Sequence, residues 1–118
     1  MAATDWNAFT DQTNARMAAL RKEMPDVAPA FGSLAKAAIA PGELDSKTKE
    51  LIALAISVAV RCEDCIGFHA KAAAERGATR EEVMEALGMA IYMGAGPSVM
   101  YASHAAEAFD QLSQNKEP

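Results

Sequence analysis

The chain has 118 residues, 51% of them apolar and only 6% aromatic, with seven methionines and a formal net charge of −5, which allows one compact core and is short for two domains. The acidic balance and the absence of any Lys/Arg cluster leave no electrostatic footprint for nucleic acid or an anionic membrane surface. The longest apolar run, Leu51 to Val60, is about half of what a bilayer needs, and Met1 to Asp5 show neither region of a secretory signal, so the expected location is the cytoplasm.

Ala, Leu, Met, Glu and Lys carry most of the chain, which favours helix over strand and predicts an all-α fold in a single domain spanning 1–118. Trp6, Phe9, Met17, Leu20 and Met24 recur at helical spacing behind an Asp5 cap and before Pro25, predicting an amphipathic first helix over about 5–24. A second helix is expected from about Pro29 to Ile39, stopped by Pro41-Gly42 and apolar enough to be mostly covered. Asp45 or Ser46 then caps a third, in which Leu51 to Val60 is apolar on nearly every side, as in a central or interface helix. Ile52, Ile56, Val58 and Val60 would also suit a buried strand, but the capped lead-in makes the segment too long for a typical one.

A fourth helix begins near Cys62 and ends at the glycine C-cap Gly77. Thr79-Arg80-Glu81-Glu82 is a capping box for a fifth, carrying Val83, Met84, Leu87 and Ile91. Gly94-Ala95-Gly96-Pro97 predicts a break, and a sixth helix runs from Ser98 through Met100, Tyr101, His104 and Ala108 to Leu112, with 113–118 fraying. Met84, Met89, Met93 and Met100 read as filler of core or interface space, and Tyr92 and Tyr101 as packing residues.

The chemistry concentrates in Cys62-Glu63-Asp64-Cys65-Ile66-Gly67-Phe68-His69. In a reducing compartment a close cysteine pair is more often redox-active or metal-binding than a structural staple. On a helix, positions 62, 65 and 69 lie along one stripe, so His69 sits one turn from Cys65. A thiol ordinarily ionises near about pH 8.5, and a helix N-terminus with an adjacent imidazole lowers that value. Cys65, with the nearer base, is the expected attacking thiolate, and Cys62 the resolving thiol and electron entry point.

Glu50 is the one carboxylate bordering the apolar third helix. If the third and fourth helices run antiparallel after a tight turn near Arg61, Glu50 lies about 15–18 Å down the third, level with the fourth helix near or beyond His69. That depth allows Glu50 to orient His69 as a base. Two blander readings stand beside this one. The cysteines can be small buried apolar residues, or Cys62, Cys65 and His69 can be three zinc ligands with His104 or Glu50 as the fourth, although the second paired cluster usual for structural zinc is missing. His104 alone carries no assignment and is left outside the site.

Lys49-Glu50-Leu51-Ile52-Ala53-Leu54-Ala55 followed by Cys62-x-x-Cys65-x-x-x-His69 resembles the alkylhydroperoxidase AhpD and carboxymuconolactone decarboxylase superfamily, over roughly residues 27–110. The resemblance implies an all-helical fold with an antiparallel core and a proton relay of Glu50, His69, Cys65 and Cys62 that feeds a peroxide-reducing dithiol. It implies no cofactor and no metal, a small hydroperoxide or disulfide as substrate, a lipoyl or thioredoxin-like thiol reductant, and a homotrimer or homohexamer. The decarboxylase branch, which generally lacks the cysteine pair, implies instead a lyase using Glu50 and His69 for proton transfer. One departure is Asp64, where many AhpD peroxidases carry a histidine; with Glu63 it opposes the thiolate by like charge.

Overall fold

In the computed structural model, which describes residues 4–114, Asp5 accepts the amide of Ala8 at 3.1 Å and starts α1 (Trp6–Glu23). α2 (Val27–Ile39) begins two residues earlier than the proline signal suggests. Asp45 starts α3 (Ser46–Ala59) by accepting from the amide of Thr48 at 2.7 Å, and that bond holds its carboxyl below the usual carboxylate range. α4 (Glu63–Glu75) and α5 (Arg80–Ser113) complete the chain, and among the described residues there is no strand. The expected all-α fold is therefore present.

The capping box forms as read: Glu82 Oε1 accepts from the Thr79 amide at 2.9 Å while Thr79 Oγ1 accepts from the Glu82 amide at 3.1 Å. Lys47 Nζ donates to the other Glu82 oxygen at 2.9 Å, which ties the first turn of α3 to the first turn of α5. The Thr79 amide and then Lys47 hold the Glu82 carboxyl below its ordinary value, and Glu82 raises Lys47 in return.

Three helices make the core. α3 contributes Leu54 and Val58, α4 contributes Ile66, Ala70 and Ala73, and α5 contributes Val83, Leu87 and Ala105. Each buried Leu, Ile or Val adds about 1.5–3 kcal/mol of transfer free energy, and the alanines let the helix axes approach closely. α1 joins this core through its first half only: Trp6 is buried, its amide donates to Gln111 Oε1 at 2.7 Å, and its indole N–H donates to Glu107 Oε1 at 3.3 Å. Gly67 permits that contact, because a Cβ at this position would lie 2.8 Å from the Thr10 methyl, and buried Thr10 is itself held by its hydroxyl bonds to Trp6 O and Asn7 O. Met17, Leu20 and Met24, expected on the packed face, are exposed.

The expected helix count and the expected cover over α2 are corrected. Five helices are described rather than six only because the two helical stretches of α5 are counted together; the break expected at Gly94 to Pro97 is itself present, since Ala95 leaves helical angles, at φ 58° and ψ −141°, and bends the chain between them. Pro97 accounts for the bend, since its ring lacks an N–H and collides with the carbonyl four residues earlier. α2 is not covered: none of its residues is buried, and Phe31 is 65% exposed. Its main packing is against α3, and with the second half of α1 it lines an open apolar pocket bounded by Met17, Leu20, Met24, Val27 and Phe31. Met84, Met89, Met93 and Met100, expected in core or interface space, do not occupy the core of the single chain: all four are exposed, and Tyr92 is 79% exposed. Of the segment expected to fray, Ser113 closes α5 and Gln114 caps it, while 115–118 lie outside the described residues, as do Met1 to Ala3.

Candidate active site

The link between α3 and α4 is as short as a helical hairpin allows. Arg61 adopts φ 61°, its amide donates to Val58 O at 3.1 Å, and the amide of Cys62 donates to Ser57 O at 3.0 Å. These two bonds form a Schellman motif that closes α3, with Arg61 at the left-handed position usually held by glycine. Cys62 is thus the last residue of one motif and the first of the next, because its Sγ also accepts the amide of Cys65 at 3.1 Å and caps α4. The tight turn expected near Arg61 is present, and its hydrogen bonds fix the backbone of Cys62 on both sides.

Cys62 and Cys65 are joined in a disulfide, with Cα atoms 5.2 Å apart. Both are half-buried, so the bond is within reach of solvent. Four residues on, His69 Nδ1 lies 2.7 Å from Glu50 Oε1. The antiparallel crossing therefore brings Glu50 directly against His69, without an intervening water. The Glu50 side chain is only 7% exposed and that of His69 35%, so the carboxylate is sequestered behind the imidazole and held by it. A buried carboxylate needs such a partner, and with Nδ1 bound to Glu50, the Nε2 nitrogen is the one left to exchange protons.

A pocket of about 590 Å³ opens on this pair. α2 and α3 line it with Ala35, Ile39, Ile52 and Ile56, Leu44 adds to the wall from the connecting segment, and Glu50 and His69 are its polar groups beside Lys36 and Lys49. Lys49 Nζ is occupied with the carbonyls that end α2, donating to Ala38 O at 3.0 Å and Ala40 O at 2.6 Å. That bond fastens α2 over the pocket and matches the negative end of the α2 dipole.

All four residues singled out in the sequence thus fall on the two helices of one hairpin. What sequence reasoning missed is the treatment of the two carboxylates between the cysteines. Asp64 Oδ1 accepts from Thr13 Oγ1 at 2.8 Å and from Arg16 Nη2 at 3.3 Å, both on α1. Glu63 Oε1 lies 2.6 Å from His104 Nδ1 on α5, and the edge of the Tyr101 ring meets His104 at 5.3 Å between centroids. His104, set aside on sequence grounds, therefore touches the motif. The signal available in the sequence was the charge itself: two adjacent carboxylates in a first turn call for partners. The zinc arrangement does not form, since the sulfurs are bonded to each other while His69 and His104 each face a glutamate; among the described residues no group of three or more His, Cys, Asp or Glu is placed to hold a metal ion.

Residues 25–108 match the model of the carboxymuconolactone decarboxylase family. This chain belongs to that family. A solved family member from Legionella pneumophila is 52% identical and superposes with a TM-score of 0.89, covering 92% of this chain and 96% of that one. A carboxymuconolactone decarboxylase family protein from Thermotoga maritima, described with a suggested part in the antioxidative response, is 35% identical with a TM-score of 0.70, covering 75% of this chain and 92% of its own. An uncharacterized protein of Cupriavidus necator is 41% identical over 110 residues, 93% of this chain and 97% of its own length.

In this family member the Arg61 turn carries a measurable strain. A left-handed residue other than glycine costs about 1–2 kcal/mol, of which the greater unfolded-state freedom of glycine returns about 0.5–1 kcal/mol. Arg61→Gly is therefore expected to raise the unfolding free energy by about 0.5–1 kcal/mol in urea denaturation, and a loss of stability would mean that the exposed Arg61 side chain makes a contact worth more than the strain.

Proposed function

We propose that this chain is a thiol oxidoreductase of the AhpD type, reducing an organic hydroperoxide, or a disulfide, through Cys62 and Cys65. The observation that carries this reading is the Glu50–His69 pair standing one helical turn from the cysteine pair. In the reduced protein His69 takes the proton of Cys65, and Glu50 orients the imidazole and balances its charge. The Cys65 thiolate attacks the terminal peroxide oxygen, the O–O bond breaks, and the alcohol leaves with the proton carried by His69. Cys62 then attacks the sulfenic sulfur, water leaves, and the disulfide forms. A dithiol reductant of lipoyl or thioredoxin-like type attacks Cys62 Sγ, releases Cys65 and, through its second thiol, releases Cys62.

The apolar wall of the pocket supports an organic hydroperoxide over hydrogen peroxide, because burial of a carbon chain against Ile39, Ile52 and Ile56 adds binding energy that a bare peroxide lacks. The decarboxylase-type alternative would use the same Glu50 and His69 without the sulfurs. No helix among the described residues is long and apolar enough to cross a membrane, which fits the cytoplasmic setting this chemistry prefers.

The activity test is turnover of cumene hydroperoxide with a dithiol reductant. Cys65→Ser and Cys62→Ser are expected to abolish it, and Glu50→Gln to lower kcat/KM by about 10²–10⁴-fold, the usual worth of a positioned general base. Full activity in Cys65→Ser, or unimpaired conversion of a lactone acid by fully alkylated protein, would overturn the reading in favour of the lyase.

We also propose that copies of this chain cover the exposed apolar faces in a homotrimer or homohexamer. Phe31 and Leu34 on α2 and Tyr92 and Met93 on α5 are more than half exposed in the single chain, and large exposed apolar side chains grouped on a helix face are what a subunit interface covers. Light scattering is expected to give three or six times the 12.5 kDa chain mass, and a monomer at micromolar concentration would contradict it.

A further inference from the structure

Glu63 follows Cys62 directly, so a Cys62 thiolate and the Glu63 carboxylate would form adjacent negative charges at the start of α4. The helix dipole favours both, but their mutual repulsion disfavours the thiolate. His104, on the far half of α5, reaches across 41 positions of sequence to place Nδ1 2.6 Å from Glu63 Oε1. Tyr101, one turn earlier, sets its ring against the imidazole and limits the orientations it can take.

We propose that His104 is a positioning residue of the dithiol, which acts through Glu63 to govern how readily the Cys62 thiol ionises and leaves. By donating to the carboxylate, and by neutralising it when protonated, His104 offsets the charge next to Cys62 in sequence that opposes its thiolate. Asp64, the second carboxylate, is held by Thr13 and Arg16 on the opposite flank. The motif is therefore flanked by two separate histidine–glutamate pairs: Glu50–His69 on the Cys65 side and Glu63–His104 on the Cys62 side.

This inference rests on the redox reading of the cysteine pair, and it assigns the second pair to the recycling half of the cycle. There, one thiolate of a dithiol reductant attacks Cys62 Sγ, the S–S bond breaks, and its electron pair leaves on Cys65, which takes up a proton. The second reductant thiolate then attacks the reductant's own sulfur in the mixed disulfide, and Cys62 departs with the electron pair. The reductant ends as a disulfide and the protein as a dithiol, and departure is faster the more stable the Cys62 thiolate is.

The charged and titratable side chains around this point come from α1, α4, α5 and the turn before α4. They are Glu63 and Asp64 on α4, Arg61 in the turn, Arg16 on α1, and Tyr101 and Glu107 on α5, while α3 carries no titratable side chain from Leu51 to Ala59. Of these, Glu63 is the one bonded to His104, which makes a double substitution decisive.

The test is the rate of iodoacetamide labelling at Cys62 in freshly reduced full-length protein, read by peptide mass spectrometry from about pH 5 to pH 9, with Cys65 in the same molecule as reference. His104→Gln is expected to slow Cys62 labelling by about three- to tenfold on the acidic limb, moving its profile up by about 0.5–1 pH unit, and to leave the Cys65 rate within about twofold. In the Glu63→Gln/His104→Gln double variant the wild-type rate should return, because the charge that His104 offsets is gone. An unchanged profile in His104→Gln would overturn the proposal, and so would a slowdown that persists in the double variant, which would mark His104 as merely structural. Labelling needs no turnover: wild-type protein that consumes no hydroperoxide yet shows the His104 effect would sink the peroxidase reading and the recycling role built on it, and leave the effect of His104 on Cys62 ionisation standing.

Discussion

The arrangement depends on the turn from Val60 to Cys62. Two backbone bonds close α3 there, and a third contact, from the Cys65 amide to Cys62 Sγ, opens α4 with no residue between. The consequence reaches well beyond the turn. With the hairpin this short, the relative axial shift of the two helices is fixed, and Glu50 on the first strikes His69 on the second at 2.7 Å. A linker of several more residues would let the helices slide, and a buried carboxylate without its imidazole would be a large destabilising burden. The stability of the hairpin and the placement of the Glu50–His69 pair therefore share one cause.

Electrostatics around the cysteines follow a second pattern. The motif places two carboxylates next to sulfurs that the proposed chemistry needs as thiolates, a local conflict within α4 itself. Its resolution comes from the rest of the fold: α1 supplies Thr13 and Arg16 to Asp64, and α5 supplies His104 to Glu63. This gives α1 a role besides packing. Its buried first half, anchored by Trp6 over Gly67, is what holds Arg16 beside the motif, while its second half extends into solvent with Met17, Leu20 and Met24 exposed.

The features legible in the sequence were those written locally. The Asp5, Asp45 and Thr79 caps and the stop at Gly77 each depend on a few consecutive residues, and each is found where that chemistry put it. The depth of Glu50 was legible as well, because it needs only a rise per residue and a tight turn. Two things were not. Periodicity marks α2 as apolar but cannot say whether its partner is this chain or another. The contact of His104 with Glu63 spans 41 positions, and only the unpaired charge at Glu63 hinted that a partner was required.

The central claim is that Cys62 and Cys65 form a working dithiol served by Glu50 and His69. The most direct test is to reduce the purified protein, remove the reductant, add one equivalent of an organic hydroperoxide, and follow free thiols together with intact mass. The account requires the loss of both thiols and a mass lower by about two daltons, the signature of one new disulfide. Two thiols still free after the peroxide is added, in protein shown to be fully reduced beforehand, would contradict it.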